Sequence, residues 1–156
     1  MHTLKPLNAK EVKGIRKLLF SQYGFSEKLD YAFFLNNKDK IYIITKDLAG
    51  VDTSRLRIDT LGMYFGTLYN DELRLSIEGS QIIGKQAAKN ILELDKKQFD
   101  EYIKGFDVEI KGTEAGLEKG FFLIRHKNDF YGCAKLVNDR LLNFIPKARR
   151  LKVVNE

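Results

Sequence analysis

The chain has 156 residues, 44% hydrophobic and 31% charged, with a formal net charge of +6. That suits one ordinary domain or two small ones and is too apolar for a disordered chain. No apolar run is long enough to cross a membrane, the first residues lack the apolar stretch of a signal peptide, and the single cysteine, Cys133, excludes an internal disulfide and suits a reducing, cytoplasmic compartment.

Asn8 followed by Glu11 has capping-box spacing, and Val12, Ile15, Leu18 and Leu19 repeat at helical intervals up to Gly24, which predicts a helix over about 9–22. "YAFFL", "NNKD" and "KIYIIT" read as a hairpin: two β-rich runs around a polar turn. "RLRID" and "ELRLSI" alternate at period two. Between them lies the β-rich "GMYFGTLY", whose Gly62 and Gly66 mark a bulge or a close approach. "GSQIIGKQAA" predicts a short helix that Ser80 could cap. The first half is therefore a helix followed by a small, mostly antiparallel sheet.

The second half changes rhythm. "KNILELD" reads as a strand, Asp95 caps a helix in "KKQFDEYIKG" with Phe99, Tyr102 and Ile103 on one face, and Gly105 ends it. Short strands follow in "FDVEI", "GFFLIRH", "FYGCAKL" and "LLNFIP", with "KNDF" and "VNDR" as turns. That spacing suggests a small barrel. The expected fold class is α+β, with a boundary near 84–88 dividing a domain 1–84 from a domain 85–156. No Pro-, Gly- or Ser-rich linker separates them, so two subdomains packed directly together are expected.

The charge is local. From Lys119 to Lys152 there are nine Lys or Arg against Asp129 and Asp139, a segment of +7, so the rest sums to −1. Lys147, Arg149, Arg150 and Lys152 crowd the end, after Phe144, Ile145 and Pro146. A polyanion-binding face and a solvated basic face both fit this distribution. Phe121, Phe122, Phe130, Tyr131 and Phe144 interleave with the cations. Such rings can stack bases, but a small barrel must also fill its core, and Tyr131 is the one expected most readily at the surface.

Enzymatic patterns are thin. "GSQIIGKQ", Gly79 to Gln86, matches a phosphate loop up to its last position, where Gln86 stands in place of the Ser or Thr that would coordinate magnesium. The antiparallel strands that follow do not suit that motif, so a structural helix is the expected reading. His2 and His126 are the only histidines, and no cluster has metal-ligand spacing. Cys133 reads as a small buried hydrophobe; a hairpin could place it across from His126, which is the one nucleophile–base pairing available. Glu93 and Asp95 read as strand edge and helix cap. No metal or cofactor is expected.

The stretch "KNILELD…F…YIKGFDVEI…GFFLIRHKNDFYGCAKLVNDRLLNFIPKARRL" resembles a PUA domain. Its ending "LLNFIPKARRL" is similar to the ends of PUA-type domains fused to Sun-family RNA cytosine methyltransferases. The first half, in "DKIYIIT" followed by "RIDTLGMYFGTLYNDELRLSI", is similar to the domain that precedes PUA in Nip-type ribosome-biogenesis factors. The resemblance implies a pseudo-barrel of five or six strands that binds RNA. The RNA would lie on the Lys104–Gly105 turn and on Lys135, Lys147, Arg149 and Arg150. The chain departs from the methyltransferases in having neither a glycine-rich loop for S-adenosylmethionine nor a catalytic cysteine motif.

Three functions follow as expectations. The leading one is a non-catalytic RNA-binding protein in ribosome biogenesis or in rRNA or tRNA modification, with Lys147, Arg149, Arg150 and Lys152 on phosphates and Lys135 and Arg125 extending the track. In that reading Pro146 closes or edges the last strand. The second is a protein adaptor that docks an RNA methyltransferase or assembly factor through the first half, where "GMYFGTLY" offers apolar surface. The third is an enzyme using the phosphate-loop pattern or a Cys–His pair.

Overall fold

The computed structural model describes residues 4–49, 62–111 and 119–152. The predicted strand "RLRID" and His2 lie outside them. Helix α1 spans Ala9–Tyr23. Its capping box is complete: Asn8 Oδ1 accepts from the Glu11 N–H at 2.9 Å, and the Glu11 carboxylate accepts from the Asn8 N–H at 3.2 Å. At the other end Gly24 takes φ +62°, and the N–H groups of Gly24 and Phe25 return to the carbonyls of Phe20 and Leu19. That left-handed stop is the reason for glycine there. Ile15, Leu19 and Tyr23 form the buried stripe.

The first sheet is antiparallel throughout, in the order β1 (Lys5–Pro6), β2 (Tyr31–Leu35), β3 (Lys40–Thr45), β4 (Met63–Tyr69), β5 (Glu72–Leu75). A short helix α2 (Lys46–Ala49) follows β3. The β2–β3 turn is held by the Asn36 side chain, which accepts from the N–H groups of Lys38 and Lys40, each at 2.9 Å. The irregularity expected in "GMYFGTLY" is present. Ile41 pairs with Gly66 but Tyr42 with Tyr64, so Phe65 is the extra residue. Gly66 is also a close approach, since a side-chain carbon there would meet the Arg74 carbonyl at 2.6 Å.

Helix α3 covers Ile77–Ile83 and ends in a 3-10 turn, Gly84–Gln86. Its cap is Ser76, whose hydroxyl accepts from the Gly79 N–H at 2.9 Å, not Ser80. Ser80 is fully buried; its Oγ accepts from the Gly132 N–H at 2.7 Å and donates to the Ile77 carbonyl at 2.6 Å. The phosphate-loop pattern is thus helix. A side-chain carbon on Gly79 would collide with the Phe65 carbonyl, and one on Gly84 with the Phe130 ring. Both glycines serve close packing.

The second sheet has the order β6 (Ile91–Glu93), β8 (Gly120–His126), β9 (Asp129–Val137), β10 (Arg140–Leu142), β7 (Val108–Glu109). β6 runs parallel to β8 and the other pairs are antiparallel. The sheet curls into a half-barrel whose core takes in Tyr102 of α4 (Lys96–Ile103), a helix that Asp95 caps with Gln98 in a second capping box. Both predicted turns have positive φ at two successive residues, Lys127–Asn128 and Asn138–Asp139, as type I′ hairpins require.

The β8–β9 hairpin serves two cores. Phe121, Leu123, Phe130 and Cys133 pack with Leu19, Tyr23, Phe65 and Leu75 of the first half. Phe122, Ile124, Ala134 and Leu136 pack with Tyr102, Val108 and Leu141 inside the half-barrel. A hairpin covered on both faces reads as a near-continuous apolar run, which is the character of "GFFLI".

Candidate nucleic-acid interface

The strand expected over "LLNFIP" ends at Leu142. Asn143 redirects the chain. Its side-chain amide donates to the carbonyls of Tyr102 at 2.7 Å and Phe106 at 2.9 Å, and its Oδ1 accepts from the Ile145 N–H at 2.8 Å. Ile145 is buried in the half-barrel core. Pro146 therefore neither closes nor edges a strand; it caps a 3-10 turn over Lys147–Arg149. The Leu151 N–H then donates to the Ile103 carbonyl at 2.8 Å. The basic segment follows an ordered path across the C-terminal end of α4.

Three of the predicted residues meet at that end, and Lys147 and Lys152 lie on the segment that crosses it. Lys104 caps the helix, and Gly105 turns with φ +92°. Arg150 lies against Gly105 and its Nε donates to the Ile145 carbonyl at 3.1 Å. Lys147 and Lys152 are exposed, with no ion-pair partner among the described residues. Cations at a helix C-terminus also oppose its negative dipole end.

The other three lie apart. Arg149 turns to α3 and pairs with Glu78 at 2.5 Å. Arg125 sits near the end of β8 and pairs with Glu93 at 3.2 Å. Lys135 occupies the β9 face that carries Cys133, with its Nζ 5.3 Å from the centroid of the Phe121 ring. Since Phe121 and Arg125 stand four residues apart on one strand, Lys135 and Arg125 are separated by about 13 Å along the hairpin.

Phe106 was not among the predicted site residues. It is 61% exposed, follows Gly105, and its carbonyl is held by Asn143. In sequence it opens the expected strand "FDVEI", but β7 begins only at Val108. The local signal was its position directly after the helix-ending glycine, where a strand has not yet formed.

The residues that could carry catalysis have structural surroundings. Across the hairpin Cys133 pairs with Leu123, while His126 pairs with Asp129. Cys133 is buried; its Sγ accepts from the Leu75 N–H at 3.3 Å and lies 3.4 Å from the Tyr23 hydroxyl. Burial pushes its thiol up to about 11, against the smaller lowering effect of the Tyr23 hydrogen bond. That keeps it protonated and poorly nucleophilic at neutral pH. His126 stacks on Phe99 with centroids 4.2 Å apart, and its Nδ1 is 2.8 Å from the Leu94 carbonyl. No group of His, Cys, Asp or Glu among the described residues is arranged to hold a metal, and no described helix is long and apolar enough to cross a membrane.

Residues 89–151 match the family model of the methyltransferase RsmF PUA domain. The second half is a PUA-like domain. The chain is also 26% identical over 142 residues to ribosomal RNA small subunit methyltransferase F from Aeromonas salmonicida (strain A449). The alignment takes in 91% of this chain and 28% of that protein. It therefore extends well beyond the PUA-like domain into the first half. The PUA-like domain thus resembles the C-terminal domain of the Sun-family enzymes, and the Asn143-anchored segment described above is its closing element.

Proposed function

We propose that the chain is a non-catalytic RNA-binding protein of rRNA modification or ribosome biogenesis, with RNA laid across the end of α4. The observation that carries this is the crossing of the α4 end by the basic segment, with Arg150 against Gly105, Leu151 hydrogen-bonded to Ile103, and Lys147 and Lys152 exposed on that segment, beside Lys104 and the exposed ring of Phe106, in a domain similar to that of an rRNA methyltransferase. The cations hold phosphates and the ring offers a face for a base. Arg125, Lys135 and Arg149 contribute less to this face, because acids engage two of them and the third faces the first half. The non-catalytic reading is supported by the packing roles of Cys133, Gly79 and Gly84.

Fluorescence anisotropy over a salt series, with fragments of small-subunit ribosomal RNA and of transfer RNA, tests this. A Lys147/Arg150/Lys152→Ala variant should bind more weakly, with the log–log salt slope flattened by roughly 2, about 0.7 per lost phosphate contact. Arg149→Ala should change the slope much less. Tight binding with an unchanged slope in the triple variant places the RNA elsewhere.

A second reading, an adaptor for an RNA methyltransferase or assembly factor, is favoured by a groove of about 950 Å³ beside α1. Phe20, 61% exposed, stands in it with Phe25 and Leu29, and Lys13, Arg16 and Lys17 flank it. An acidic, apolar segment of a partner fits such a groove. Co-purification of the full chain with an RNA cytosine methyltransferase, lost on Phe20→Asp, would support it; a complex indifferent to that change would count against it.

A further inference from the structure

A cleft of about 600 Å³ runs between the two halves. Lys40, Tyr64 and Arg74 line it from the first half, and Tyr131, Phe144 and Arg149 from the second. Its volume falls within the range of small-ligand sites.

Arg74 is its centre. The guanidinium carbon lies 4.4 Å from the Phe144 ring centroid and 5.3 Å from that of Tyr69, so the planar group is held between two rings from different halves. Its Nη2 is 3.5 Å from the Tyr64 hydroxyl, and it has no carboxylate partner among the described residues. The Lys40 ammonium sits 5.6 Å from the Tyr64 ring centroid. The one acid among the described lining residues, Glu78, is matched by Arg149 at 2.5 Å. Two cations, Lys40 and Arg74, therefore have no compensating carboxylate among the described residues, in a cleft walled by rings.

The cleft is continuous with the PUA-like half. The Phe121 ring packs on Phe144 at 6.0 Å and on Tyr69 at 5.9 Å, and Lys135 reaches over Phe121. This strip of alternating rings and cations crosses the junction between the halves.

We infer that this cleft takes a segment of single-stranded RNA, with Arg74 and Lys40 on its phosphates and an unstacked base between the aromatic walls. Such cations call for a polyanion, and flat rings accept any base face. A duplex keeps its bases stacked inside and cannot offer one to a cleft of this kind. The inference rests on the RNA-binding reading and adds a second contact: the strand leaves the end of α4 and enters between the halves.

The test uses the full chain and a labelled oligouridylate carrying thiouridine, with an RNA duplex as comparison. For Lys40→Ala/Arg74→Ala, single-strand affinity should fall roughly tenfold and the salt slope should flatten by about 1.4, while duplex binding changes little. Arg74→Lys, which keeps the charge but not the planar stack, should lose affinity with the slope retained. Photo-cross-linking to the unaltered chain should recover peptides containing Tyr64 or Phe144, a readout that no folding defect can mimic. Single-strand binding and slope unchanged in the double variant, or cross-links confined to the segment after Pro146, overturn the inference and leave the α4 face standing. Loss of single-strand binding in the double variant without any cross-link in the cleft overturns it too. Failure of the unaltered chain to bind any RNA overturns both readings.

Discussion

A side-chain carbon on Gly105 would collide with Cδ and Nε of Arg150. Gly105 also holds φ +92°, a conformation that side chains resist. Gly105→Ala should therefore lower stability by roughly 1–3 kcal/mol and push Arg150 off the helix end. RNA affinity should fall although every cation is still present. Urea unfolding and anisotropy on one preparation check this; unchanged affinity would show that the position of Arg150 is immaterial.

Asn143 makes three side-chain hydrogen bonds, each replaceable only by water. Asn143→Ala should cost about 2–3 kcal/mol, at roughly 1 kcal/mol per bond. The Leu151 amide, which depends on the same path, should exchange faster with solvent. Asn143→Asp keeps the acceptor for Ile145 and loses both donors, so it should not restore stability. Hydrogen exchange at Leu151 equal to that of the unaltered chain would disprove the anchoring role.

Gly84 and Lys85 separate the packing reading of "GSQIIGKQ" from the phosphate-loop reading. Gly84→Ala drives a carbon into the Phe130 ring and should cost about 1–3 kcal/mol. Lys85 is exposed, and Lys85→Ala should stay within about 0.5 kcal/mol. ATP should bind neither the unaltered chain nor the variant. Nucleotide binding that disappears with Lys85→Ala would reinstate the phosphate loop.

Cys133 gives stability an alkaline limit. Its thiol is pushed from an ordinary 9.0 up to about 11, so the folded state holds the proton more tightly than the unfolded chain does. The corresponding stability is fully present below about pH 9 and is lost as the pH rises to about 11, a fall of up to roughly 3 kcal/mol. Tyr23 and Tyr102, also raised chiefly by burial, add a further fall above their ordinary 10.0. In Cys133→Ala the first decline should vanish and the second remain. Urea midpoints that decline in parallel in both proteins from pH 9 upward would contradict this.

What the sequence disclosed depended on whether the signal was local. Asn8–Glu11, Gly24 and Asp95 act within a turn of their helices, and each was found as read. The turns at Lys127–Asn128 and Asn138–Asp139 are equally local. Ser80 misled because Ser76, four residues earlier, is an equally good cap, and only the distant Gly132 N–H decides between them. β1 was missed because two residues, one a proline, carry no periodicity. "LLNFIP" looked like strand throughout because the partners of Asn143 lie some 40 residues away in sequence. At the candidate site, charge density pointed to Lys147, Arg150 and Lys152, which have no ion-pair partner among the described residues. It did not foresee that Glu78 and Glu93 would engage Arg149 and Arg125, nor that Arg74 would stand between rings from both halves.

The two-faced β8–β9 hairpin bears on how the chain is made. Leu19, Tyr23, Phe65 and Leu75 are synthesised early, yet their packing partners include Phe121, Phe130 and Cys133. At ribosomal rates of roughly 5–20 residues per second, the early segment waits several seconds with its apolar face open. During that interval a chaperone has its natural opportunity. Once the hairpin emerges it covers the first core, and the half-barrel core is completed only when Leu141 and Ile145 follow.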